Sequence, residues 1–133
     1  MTSITCLCGQ VRIETARLPD YLNDCNCALC RKSGARWGYF APADVTVEGV
    51  TATFVRADKE YPSAELHFCA ACGSTTHFRL TPAAQEKHGD VVTGVNLRLA
   101  EDGDLAGVEV RFPDGAHYAG EGEVPYLRGP VTL

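Results

Sequence analysis

Seven cysteines in three tight groups constrain this chain more than any other feature. Cys6-Leu7-Cys8-Gly9 is a C-x-C-G hook, and Cys69-Ala70-Ala71-Cys72-Gly73 is a C-x-x-C-G knuckle. Between them Cys25, Cys27 and Cys30 form a C-x-C-x-x-C, followed at once by Arg31 and Lys32. An odd number of thiols fits disulfide pairing poorly. The N-terminus, MTSITCLCG, carries neither a basic n-region nor an apolar h-region, so no secretory signal is read there. The expectation is a cytoplasmic chain, in a reducing compartment where disulfides are rare and clustered cysteines point to metal or thiol chemistry.

The spacing suggests a partition of four plus three. C-x-C puts two thiols on the same side of an extended chain. C-x-x-C-G converges two sulfurs in a tight turn, where the following glycine permits a positive φ. Two such hooks meet the tetrahedral four-ligand demand of zinc, so Cys6 and Cys8 with Cys69 and Cys72 read as a closed structural site. Four unrelated buried thiols are the alternative. Cys25, Cys27 and Cys30 are one ligand short, as catalytic zinc sites are. The fourth position then falls to water, a substrate thiol or a distant side chain, with His67 and His77 the best-placed histidines and His88 and His117 in expected loops. An iron–sulfur cluster fits less well, because the spacing matches no ligand run of that type. Arg31, Lys32 and the nearby Arg36 would favour thiolate. Arg31 and Lys32 could also receive the carboxylates of an anionic thiol substrate, the alternative being ordinary solvated charges.

The 133 residues suit a single domain, 1–133, with 45% hydrophobic and 22% charged residues typical of a globular chain. Twelve basic against seventeen acidic side chains, a formal charge of −5, and 8% aromatics argue against a nucleic-acid binder. No run approaches the ~20 apolar residues of a membrane-spanning helix. Strand patterns dominate: 9–15, 35–41, 45–47, 51–57, 64–68, 74–80, 91–99 and 108–112. Asp102-Gly103 and Asp114-Gly115 suit tight hairpins, and the Gly- and Pro-bearing tail 120–133 reads as irregular. Short helices are expected at 28–32 and at 81–87, where Thr81-Pro82 is a cap followed by a favoured first-turn proline. Trp37, Tyr39 and Phe40 read as core strand residues, a substrate-cleft wall being the sharper alternative. The fold class is thus mainly β, of antiparallel sheets stapled by zinc knuckles.

In order, C-x-C-G, then CNCALCRKSGA as C-x-C-x-x-C-R-K-x-x-G, then FCAACGS as F-C-x-x-C-G resemble the glutathione-dependent formaldehyde-activating family, which includes centromere protein V. These blocks span a motif core of 6–73, and VVTGVNLRL matches a later family segment loosely. The resemblance implies a β-tent fold and two zinc ions per chain. Cys6, Cys8, Cys69 and Cys72 would hold the structural ion, and Cys25, Cys27 and Cys30 the catalytic one. It also implies carbon–sulfur bond formation and cleavage between glutathione and formaldehyde, an S-(hydroxymethyl)glutathione synthase-like lyase activity.

The expected chemistry is attack of a zinc-stabilised thiolate on a small aldehyde, giving a hemithioacetal. A zinc bound by three thiolates is electron-rich, so thiol activation is more credible than carbonyl polarisation. His67, His77 and Tyr39 are candidate general acids by residue type. A non-catalytic binder with an exchangeable three-cysteine zinc is the principal rival, and an interaction module held together by both metals is another.

Overall fold

The computed structural model describes residues 1–133. Its strands are β1 (Thr2–Thr5), β2 (Arg12–Thr15), β3 (Tyr21–Asn23), β4 (Trp37–Phe40), β5 (Val45–Glu48), β6 (Thr51–Phe54), β7 (Ala64–Cys69), β8 (Thr75–Leu80), β9 (Thr93–Asn96), β10 (Glu109–Pro113) and β11 (Tyr126–Thr132). Two short helices, α1 (Ala28–Ser33) and α2 (Pro82–His88), interrupt them. The fold is mainly β: a three-stranded sheet, β1-β2-β5, and an eight-stranded sheet, β11-β10-β3-β4-β9-β8-β7-β6. All pairings are antiparallel except that of β3 with β10.

Cross-strand register decides what each face of the large sheet carries, because directly opposed residues share a face. One row runs Thr53, His67, His77, Val95, Gly38, Leu22, Val110. Its apolar members join Ile4, Val11 and Ile13 of the small sheet's layer in one buried core with Phe40 and Leu97. The adjacent row runs Phe54, Leu66, Phe78, Gly94, Tyr39 and lies on the opposite face. There Trp37 meets Phe78 edge-on at 5.0 Å. Gly94 leaves the space the Phe78 ring needs: a Cβ at 94 would lie 1.8 Å from it.

The expected helices form, each with a side-chain cap: the Cys27 sulfur accepts from the Cys30 N–H, and Thr81 from the Ala84 N–H. Four expectations need correction. The strand read over 91–99 is confined to Thr93–Asn96, because the Asn96 side chain accepts from Arg98 N and turns the chain into a single 3-10 turn. Asp102-Gly103 and Asp114-Gly115 are not hairpins; each opens a 3-10 turn, at Asp102–Leu105 and Gly115–His117. The tail is not irregular throughout, since β11 pairs with β10. Its seven residues are all exposed, so no buried alternation marked it. Strands β1 and β3 were not anticipated; each has four residues or fewer, and β3 pairs with β10 some ninety positions away in sequence, a non-local contact without a local pattern.

Candidate metal centres

The sulfurs of Cys6, Cys8, Cys69 and Cys72 lie within 4.8 Å of one another. The chain turns after β1 bring the first pair in, and the turn between β7 and β8 brings the second. Both turns close on glycines, Gly9 at φ +80° and Gly73 at φ +78°, where a side chain would be strained. Cys8 Sγ stands 3.6 Å from both Cys6 Sγ and Cys69 Sγ. A tetrahedron of sulfurs about 2.3 Å from zinc has edges of roughly 3.8 Å, so this spacing fits the ion. Backbone N–H groups already point at the sulfurs: Val11 N to Cys6 at 3.3 Å, and Ala71 N and Cys72 N to Cys69 at 3.4 Å each. The Ser74 hydroxyl, 3.2 Å from Cys72 Sγ, heads the interactions that hold that thiol down to about 5. Two of these cysteines, Cys6 and Cys69, are buried.

The sulfurs of Cys25, Cys27 and Cys30 form a second group within 4.8 Å, all three half-buried. Here the knuckle is a helix start. Cys25 accepts from Cys27 N, and Cys27, as the cap of α1, accepts from Cys30 N, both at 3.4 Å. The Cys30 thiol donates to Cys27 and, with the backbone N–H groups of the helix turn, holds it at about 5 despite burial. Cys30, giving that hydrogen bond, is pushed upward by it, by burial and by its neighbours' charge. Burial raises Cys25 too. The cluster therefore concentrates negative charge on one sulfur and keeps protons on two. A metal would displace those protons, because thiolates are the ligands. Both clusters can hold a metal ion.

A loop from the far end of the chain covers the second cluster. Asn26 donates to Asp114 at 2.7 Å and accepts from Ala116 N at 2.9 Å, which lays residues 114–117 against the knuckle. Gly115 packs so closely that a Cβ there would sit 2.5 Å from Cys25 Sγ. His117 is exposed, its Nδ1 2.9 Å from Asp114.

Arg31 opens, with Arg56, Lys59 and Cys27, onto a cavity of about 440 Å³. Lys32 lies on the other flank of α1, in a separate cleft. Arg36 is not free: Asp24 bridges it at 3.3 Å and Arg98 at 2.9 Å. Seven of the twelve Lys and Arg side chains are ion-paired, and three of the other five, Arg31, Lys32 and Lys59, gather around α1. Arg56 and Lys59 were not anticipated, because nothing in the β6–β7 loop sequence ties them to a cysteine motif. Locally, Asp114-Gly115 carries only the signal of a tight hairpin, and His117 that of a loop.

The structure does not bring His67 or His77 to the three-thiol cluster. Both belong to the register row that faces the small sheet, whereas Tyr39 and Trp37 lie on the other face. The two rings stack at 4.2 Å, with His67 bonded to Thr51 and Glu65 at 2.9 Å each. Burial, with His67 and Arg79 nearby, drives His77 down to about 3. Tyr39 accepts from Asn23 at 3.1 Å, and burial raises its hydroxyl to about 12, so it stays protonated. Trp37 and Phe40 are buried, as core strand residues should be.

Comparison with known proteins gives a family. The family model described as glutathione-dependent formaldehyde-activating enzyme matches residues 1–104. The crystal structure of a Rhodobacter sphaeroides protein superposes with a TM-score of 0.59 at 27% identity, covering 75% of this chain and 88% of that one. No curated protein matches the chain. The loop over Cys25 lies beyond the family match.

Proposed function

We propose that this chain, which belongs to the glutathione-dependent formaldehyde-activating enzyme family, catalyses reversible addition of an anionic, glutathione-like thiol to a small aldehyde. The observation that carries this is a three-thiol cluster whose Cys27 lines a cavity together with Arg31, Arg56 and Lys59, on a chain of net charge −5.

Cys6, Cys8, Cys69 and Cys72 would hold a structural zinc, and Cys25, Cys27 and Cys30 a second one. When bound there, zinc stabilises a substrate thiolate at neutral pH. The remaining work falls to the chain itself. Arg31 and Lys59, which carry no ion pair, attract and anchor the carboxylates of the thiol, while Arg56 beside them is held by Asp58 at 2.7 Å. The 114–117 loop shields Cys25 from water on one side. In the addition a sulfur–carbon bond forms, the carbonyl π bond breaks, and the thiol's proton ends on the carbonyl oxygen. Of His67, His77 and Tyr39, Tyr39 alone lies on the cluster's face of the sheet and would deliver that proton. Its oxygen already accepts from Asn23, so its hydrogen is left to donate. An exchangeable thiol or metal carrier is the second reading, favoured by the half-exposure of all three thiols.

Because the addition also occurs spontaneously, the test is a rate. NMR exchange between free and glutathione-bound formaldehyde should accelerate with protein far below substrate concentration, and the acceleration should vanish in Cys27→Ser. A change only in proportion to protein would make the chain a carrier.

A further inference from the structure

On the flank of α1 away from the basic cavity lies a larger cleft, of about 580 Å³. Its apolar lining is Leu29 of α1 and Phe54, Leu66 and Phe68 of β6 and β7, and Lys32 and the Arg56–Asp58 ion pair (2.7 Å) line it as well. The register explains the apolar wall: Phe54 and Leu66 are direct cross-strand partners on the cluster's face, and Phe68 is two residues on from Leu66. Phe54 is 57% exposed on an edge strand, an apolar ring with no protein partner over much of its surface. No cysteine lines the cleft, but it adjoins the cavity onto which Cys27 opens. It shares Ala28 and Arg56 with the basic cavity, and its wall residue Leu29 stands between Cys27 and Cys30 on the same helical turn. A single carbon and oxygen, as in formaldehyde, would leave these walls uncovered.

Resting on the thiol–carbonyl reading above, we propose that this cleft receives the apolar body of the second substrate. The protein then acts on aldehydes bearing an aryl or branched-alkyl group rather than on formaldehyde. The anionic thiol occupies one flank of α1, the aldehyde's apolar body the other, and the new carbon–sulfur bond forms between them at the helix start. The thiol proton ends on the carbonyl oxygen as above, and the Lys32 ammonium in the cleft lining can hydrogen-bond that oxygen. No oxidant or reductant is needed.

Two measurements on the full chain, purified with its metal, test this separately. First, 2-phenylethanol, an unreactive stand-in for phenylacetaldehyde, is titrated into isotopically labelled protein. Saturable amide shifts should appear at Leu29, Phe54, Leu66 and Phe68 and weaken by about fivefold or more in Phe54→Ser, as expected for lost apolar contact. Phe54 is largely exposed, so the substituted chain should keep its spectrum elsewhere; Leu66→Ala serves as the second variant. Shifts that never saturate, or that cluster elsewhere, overturn the assignment of the cleft. Second, addition of glutathione to phenylacetaldehyde is compared with addition to formaldehyde. A kcat/KM about tenfold or more in favour of phenylacetaldehyde supports the proposal, and parity or a preference for formaldehyde overturns it. Acceleration of neither aldehyde refutes the functional reading, and with it a substrate in this cleft, while the titration still decides whether the cleft binds apolar ligands.

Discussion

Replacing Gly115 with alanine probes the second cluster without touching a sulfur. The new Cβ would lie 2.5 Å from Cys25 Sγ and 3.2 Å from the Cys27 Cβ. Non-bonded heavy atoms sit comfortably at about 3.5–4.0 Å, so the cluster and the loop must separate by about 1 Å. The loop resists, because Asn26 ties it at both Asp114 and Ala116. Cys25 therefore yields, by swinging its sulfur away from its partners. Metal–ligand distances tolerate only about 0.2 Å, and disturbed supporting contacts typically lower metal affinity by about 10–100-fold. The assay is competition with a chromophoric zinc chelator, read as two release phases. Gly115→Ala should shift the weaker phase by that factor and leave the tighter, four-cysteine phase alone. Two phases identical to the parent's would mean that the loop does not rest on Cys25 in solution, and the covered-cluster geometry would be wrong.

Cys69→Ser should lose the structural metal and about 3 kcal/mol or more of stability, roughly a 10 °C fall in melting temperature, because this cluster joins the turn after β1 to the end of β7. Cys27→Ser keeps an oxygen to cap α1, so it should lose one metal per chain while melting within a few degrees of the parent. Reversing charge at Arg31 and Lys59 together should raise the KM for glutathione about tenfold or more while kcat changes little; an unmoved KM would remove these cations from thiol binding. His77 is 3% exposed and driven down to about 3, below the 6.5 of an exposed histidine, so between those pH values the unfolded chain binds the extra proton. Its stabilising effect is whole above pH 6.5 and falls as pH drops toward 3, about 2 kcal/mol being lost by pH 5. Denaturation midpoints at pH 7 and pH 5 should differ by less in His77→Asn than in the parent chain, and equal differences would refute this.

The cysteine pattern was legible because thiol convergence is local: C-x-C and C-x-x-C-G set sulfur spacing within a few residues, and only the meeting of two hooks needed the fold. The helix at α1 was legible for the same reason, its cap being a cysteine of the motif. What could not be read were contacts made across sequence distance. Asp114-Gly115 reads locally as a turn, and it becomes part of a site only because β10 pairs with β3 in parallel and delivers it beside Asn26. Arg56 and Lys59 likewise reach Cys27 only because β6 is an edge strand beside the helix. β11 was illegible for a different reason: an edge strand exposed on both faces has no buried alternation to betray it.

The histidines make the sharpest case. By residue type His67 and His77 are the natural fourth ligands or proton donors, and both flank a cysteine knuckle in the chain. Yet a strand turns successive side chains to opposite faces. His67 sits between Leu66 and Phe68, which line the apolar cleft, so its own ring must point the other way, toward the small sheet. His77 follows it by direct cross-strand pairing. The same arithmetic that removes both histidines from the cluster places Tyr39 on its face, through Gly94, Phe78 and Leu66. Which groups can take part in the chemistry is thus set by the parity of the register. A one-residue slip of β7 against β8 would put His67 in place of Leu66 and Phe68 on the cluster's face. The pairing of Leu66 with Phe78 and of His67 with His77 is therefore as much a determinant of the site as the cysteines are.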